Sequence, residues 1–161
     1  TARDAQRFRE LGARAVEVCG NTKFDLTPPP KLLVRGHEWR ARLHRPVVLM
    51  AVSREGEEES LFDAWRAVPQ PRPLLVVVPR HAPRFDDVAE MAQQADFSIA
   101  RRSSWADEPP AEALQADVWI GDSMHEMPLY YALADVALLG GSFAPLGGQN
   151  LIEAAACGCP L

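Results

Sequence analysis

The sequence predicts an α/β fold, an open and mostly parallel sheet with helices on both faces. Two observations carry that expectation. Apolar runs of strand length, Pro46-Val47-Val48-Leu49-Met50-Ala51-Val52 above all, are continuous rather than alternating, as strands covered on both faces require. They also alternate with stretches of helical length and pattern along most of the chain, the grammar of successive parallel strands joined by helical crossovers.

The elements follow in order. Residues 4–11 read as a short amphipathic helix closed by Gly12, and residues 15–19 as an apolar stretch of strand length. The turn Gly20-Asn21-Thr22-Lys23-Phe24-Asp25 and the stiff spacer Pro28-Pro29-Pro30 set this start apart, so residues 1–30 are expected to be a linker leading into a domain that occupies 31–161. A helix over 31–43 precedes the strand at 46–52, and the next helix is expected to start near Ser53. Strand 74–78, helix 83–94 and a short strand at 97–100 come next. A polar, proline-bearing loop then covers 101–110. Strand 118–120 leads to a helix opened by Ser123-Met124-His125-Glu126, whose Ser and Glu have the spacing of a capping box. Strand 135–139 feeds Gly140-Gly141-Ser142-Phe143-Ala144-Pro145-Leu146-Gly147-Gly148-Gln149-Asn150, a glycine-rich loop expected to run straight into a final helix carrying Glu153.

With 161 residues, 47% of them hydrophobic, the chain has room for one domain with a core. A net charge of −5 argues against nucleic acid as partner, although 17 Lys and Arg leave room for local anion sites. No apolar stretch approaches bilayer-spanning length, so this stretch of chain is expected to be soluble. Cys19, Cys157 and Cys159 are odd in number and read as reduced thiols. His37, His44 and His125 lack metal-ligand spacing, and no metal or cofactor is expected. The chain opens on Thr1 and stops at Pro160-Leu161, where a further strand would begin, and reads as a fragment whose open sheet edge could support a dimer.

In open parallel sheets, ligands collect beyond the carboxyl ends of the strands. Four loops qualify: Ser53-Arg54-Glu55-Gly56, Pro79-Arg80-His81, Gly121-Asp122-Ser123-Met124 and 140–150. The last one fits neither GxGxxG nor GxxxxGK[ST]. Its glycines let main chain approach a ligand closely, and the helix behind it would aim unsatisfied N–H groups and a positive dipole end at an anion. Glu153, one turn inside, could then accept hydrogen bonds from sugar hydroxyls. Arg80 offers a fork for phosphate or carboxylate, and His81 an anion contact when protonated; a surface Arg beside a helix-entry His is the plainer alternative. Main-chain groups of Gly121 to Met124 could hold a base edge, with helix capping the alternative for Ser123 and Glu126. Glu57-Glu58-Glu59 reads as a solvated, dipole-favoured first helical turn.

Taken together, Gly20 to Asp25, Ser53-Arg54-Glu55-Gly56-Glu57-Glu58, Val78-Pro79-Arg80-His81 with Arg84-Phe85, Gly121-Asp122-Ser123-Met124 with Glu126, and Gly140 through Asn150 to Glu153 resemble the 3-deoxy-D-manno-octulosonic acid (Kdo) transferases of lipopolysaccharide synthesis. The resemblance covers essentially the whole chain. It implies most of the Rossmann-like, C-terminal half of a GT-B glycosyltransferase that moves Kdo from CMP-Kdo to a lipid A precursor at the cytoplasmic face of the bacterial inner membrane. The acceptor domain, its membrane-associated segment and its general-base Glu would lie elsewhere, so this chain would bind nucleotide without turnover.

Residue by residue, the resemblance implies that Glu153 holds the ribose, while Gly147, Gly148, Gln149 and Asn150, with Gly141 and Ser142, receive the CMP phosphate. Arg80 and His81 would flank the nucleotide, Gly121 to Met124 would meet cytosine, and Ser53 and Arg54 would face the donor sugar or its carboxylate. Gln149 stands where many members have His, and Ser53-Arg54 replaces the common Thr-His. Two alternatives stay open: a GT-B relative using a uridine diphosphate sugar, such as an epimerase or another transferase, and a non-catalytic α/β module.

Overall fold

A computed structural model describes residues 1–143 and 147–161; the stretch 144–146 of the predicted glycine-rich loop lies outside the described residues. Among the described residues five parallel strands form one sheet: β1 (Val47–Ser53), β2 (Leu74–Pro79), β3 (Ile99–Arg101), β4 (Val118–Ile120) and β5 (Val136–Leu139), in the spatial order β3-β4-β2-β1-β5. The helices are α1 (Ala2–Glu10), α2 (Pro30–Arg42), α3 (Glu57–Arg66), α4 (Phe85–Gln94), α5 (Ala111–Gln115), α6 (Met127–Leu133) and α7 (Ile152–Ala156). The α/β class, Rossmann-like and with a parallel sheet, is therefore as the sequence predicts.

Strand pleating explains the two-sided core. Val47, Leu49 and Ala51 of β1 and Leu74, Val76 and Val78 of β2 face one layer, with Trp39 of α2 and Leu43 just after it, Leu129 and Leu133 of α6 and Ala154 of α7. Met50, Leu75 and Val77 face the other, against Phe62 and Trp65 of α3 and Val88 and Ala92 of α4. Helices α2 and α6 approach closely because Gly36 has no side chain: a Cβ there would lie 2.4 Å from the Leu129 carbonyl oxygen.

Several expectations are corrected. Residues 15–19 form no strand. Val18 and Cys19 are exposed, and what holds this stretch is the Arg9 guanidinium donating to the Val16 carbonyl at 3.0 Å rather than a strand ladder. The helix expected near Ser53 starts at Glu57, because β1 runs on through Ser53 and Gly56 takes a left-handed conformation ahead of the helix. Ser123 does not cap α6. Its hydroxyl donates instead to the Glu126 carboxylate at 2.5 Å and contacts the Tyr130 hydroxyl at 2.8 Å. Trp105 of the loop predicted to be polar packs edge-on against Trp119 at 5.3 Å and Trp39 at 6.0 Å, so an aromatic cluster anchors that segment.

Strand order decides where the site is. The chain winds outward from β1 to β2 and β3, returns through β4, and crosses to the far side of β1 for β5. The winding reverses between β1 and β5, so the loops leaving these two strands diverge and open a crevice.

Candidate functional site

The crevice begins with an irregularity in β1. The register against β2 slips between Ala51 and Ser53, and Val52 takes φ 51°, a conformation that a β-branched residue rarely adopts. Strain of this kind is held only by well-determined surroundings and gathers at functional sites. Part of those surroundings is Gly140, whose backbone lies so close that a Cβ would stand 2.2 Å from the Val52 carbonyl oxygen.

Two adjacent carboxylates then fix the loops. Glu57 and Glu58 are 4% and 0% exposed, so the predicted solvated first turn is corrected: of the three acids only Glu59 faces water. Successive helical positions point about 100° apart, and here the face of α3 that packs on the sheet takes in Glu57 and Glu58 while Glu59 points away. The Glu57 carboxylate accepts from the Gly141 amide at 2.8 and 2.9 Å, the Phe143 amide at 3.1 Å and the Arg54 amide at 2.9 Å. Glu58 accepts from the Ser53 hydroxyl at 2.8 Å and pairs with Arg84 at 3.0 Å. Ser53 is accordingly buried, with its hydroxyl directed to Glu58.

Arg54, exposed His81 and Arg84 line a cavity of about 410 Å³ with Ser53 and Glu55. Next to it, the exposed Arg80 donates to the Gln149 side-chain oxygen at 3.0 Å, joining the β2 loop to the glycine-rich loop 69 residues away. The two halves of that loop also meet: the Gly148 amide donates to the Gly141 carbonyl at 2.8 Å, and Gly147 and Gly148 both have positive φ.

The helix predicted to start within 147–150 starts at Ile152 and has five residues, which is another correction. Donors at this corner are therefore loop amides, not a long helix dipole. Among the described residues the amides of Gln149 and Asn150 have no hydrogen-bond partner, and the Asn150 side chain accepts from the Ile152 amide at 3.1 Å. Glu153 sits in the first turn of α7, not one turn inside; it is half-buried, and burial raises its carboxyl above the ordinary 4.5. Ser142 is exposed.

On the other side of β2, Gly121 packs where a Cβ would lie 2.6 Å from a Val78 methyl and 3.0 Å from the Tyr130 ring, so packing alone requires glycine there. Met124 is 57% exposed beside it. Asp122 accepts from the Ser103 hydroxyl at 2.6 Å, the Ser103 amide at 2.7 Å and Arg101 at 2.7 Å. Burial would raise its carboxyl, but the Ser103 bonds and Arg101 outweigh that and hold it below the ordinary 3.8. The structure thus gathers Arg54, His81, Arg80, Gln149 and the glycine-rich loop at one edge. Sequence reasoning gave no site role to Glu57, Glu58 or Arg84, although adjacent acids at the first helix after the crevice strand were a usable signal.

No protein-family model matches the chain. It is 46% identical to the 3-deoxy-D-manno-octulosonic acid transferase of Bordetella pertussis over 100% of its own length and 38% of that protein's. The chain is a homologue of the Kdo transferases. The Haemophilus influenzae transferase of that name is 35% identical over 97% of the chain and 37% of its own length, so the chain spans under two-fifths of these relatives. Among solved structures, the C-terminal CMP-Kdo binding domain of WaaA from Acinetobacter baumannii superposes with a TM-score of 0.67 at 28% identity, covering 82% of this chain and 69% of that one.

Proposed function

We propose that this Kdo transferase homologue is the CMP-Kdo-binding part of an enzyme that transfers Kdo to a lipid A precursor at the cytoplasmic face of the inner membrane. The observation that carries the reading is the match along the entire chain to a Kdo transferase, beside the hydrogen bond by which Arg80 reaches Gln149 at the carboxyl ends of the strands. The similarity to a domain described as binding CMP-Kdo supports the same ligand here.

In this reading the CMP phosphate lies against the Gln149 and Asn150 amides beside Arg80, and Glu153 meets the ribose hydroxyls. Gly121 to Met124 flank the base, and the cavity at Arg54, His81 and Arg84 takes the sugar end of the donor. Departure of CMP from the anomeric carbon builds negative charge on one phosphate, which fixed amides and an arginine stabilise without reorganising. The sugar passes through an oxocarbenium-like state while a base deprotonates the acceptor hydroxyl. Residues outside this chain supply that base and the acceptor surface, so this stretch alone binds nucleotide and does not turn over.

Calorimetry with CMP, CDP, UMP and UDP tests the assignment. CMP is expected to bind best. A preference for UDP, or the absence of any nucleotide binding, would overturn it.

A further inference from the structure

Glu57 does more than start a helix. Its carboxylate is held by three backbone amides from two loops, and among the described residues no cationic side chain lies within ion-pair distance of it. A full negative charge is thus buried against the first half of the glycine-rich loop and balanced by main-chain dipoles. The Gly148-to-Gly141 hydrogen bond folds the second half of the loop onto the first. The buried charge therefore neighbours the segment where Arg80 reaches Gln149.

We infer that Glu57 is a specificity-determining residue that limits the site to a single phosphate, an inference that rests on the nucleotide reading above. One phosphate can use Arg80 and the amides of Gln149 and Asn150. A second needs further donors, and two of those in the first half of the loop, the Gly141 and Phe143 amides, already serve the Glu57 carboxylate. That second phosphate would also approach a buried like charge, which is strongly unfavourable where water does not screen it. The internal carboxylate stands in the place of the second phosphate of a nucleoside diphosphate.

Calorimetry with CMP and CDP, without divalent cations, on the chain and its Glu57→Gln variant tests this. The native chain is expected to bind CMP about tenfold or more tighter than CDP, and the variant to narrow that ratio to about threefold or less. Equal or tighter CDP binding by the native chain, or an unchanged ratio in the variant, overturns the inference. Should the variant not fold, the native chain still decides by NMR. The Gly141 and Phe143 amide signals should hold their positions during CMP titration while those of Gln149 and Asn150 move. Comparable movement of the first pair would mean that the phosphate displaces Glu57, and overturns it. Absence of CMP binding by the native chain would remove the nucleotide reading itself, whereas CMP binding with an unchanged ratio removes only the role of Glu57.

Discussion

Glu57, on the first turn of α3, accepts a hydrogen bond at 2.8 Å from the amide of Gly141, which lies 84 residues further along the chain. This contact joins the loops that leave β1 and β5, the two strands between which the winding of the sheet reverses. What the site can bind depends on how those loops are held.

Gly140→Ala is expected to destabilise the chain by about 2 kcal/mol or more, because the added Cβ meets the Val52 carbonyl, a backbone atom with no freedom to move aside. Urea unfolding measures this. Gly147→Ala, at a position where a Cβ meets no atom of the described residues within 4 Å, serves as the comparison for the cost of its positive φ. Equal effects of the two substitutions would contradict the account.

Arg84→Met removes the cationic partner of the buried Glu58 carboxylate, whose other side-chain hydrogen-bond partner among the described residues is the Ser53 hydroxyl, and is expected to cost about 3 kcal/mol. Arg84→Met combined with Glu58→Leu should recover most of that loss, since removing both charges is far less costly than removing one. No recovery in the double variant would sink the assignment of a buried pair.

Arg80→Ala should change stability by less than about 0.5 kcal/mol, because the side chain is exposed. CMP affinity should nevertheless fall about tenfold with the loss of a charge-assisted phosphate contact. Unaltered affinity would place the phosphate elsewhere.

Acid stability should depend on Asp122. Its folded value lies below the ordinary 3.8, so its contribution is complete above that pH and is lost as pH falls through the folded value. Glu153 has the opposite sign: its folded value lies above 4.5, so the stability gained by its protonated form fades as pH rises through that value. Urea midpoints at pH 3 and pH 6 should therefore differ less in Asp122→Asn than in the native chain. An identical difference would show that Asp122 titrates alike in both states.

The parallel sheet was legible because Val47 to Val52 and Leu74 to Val78 are apolar on both faces, a pattern set by burial alone. That the loops leaving β1, β2 and β5 lie together was legible because they follow parallel strand ends, and Arg80 does reach Gln149 there. What escaped depends on contacts between distant residues. Local pattern cannot show that Glu57 finds Gly141, that Ser53 turns inward to Glu58, or that residues 15–19 lack a strand to pair with. Nor does spacing alone place the start of α7 at Ile152: Gly147 and Gly148 take positive φ and keep the chain out of helix before it.

The most direct test is a crystal structure of this chain with CMP. The account predicts the phosphate beside Arg80 on the Gln149 and Asn150 amides, the pentose against Glu153, and Glu57 still on Gly141 and Phe143. CMP seated away from this edge, or Glu153 turned from the pentose, would contradict it.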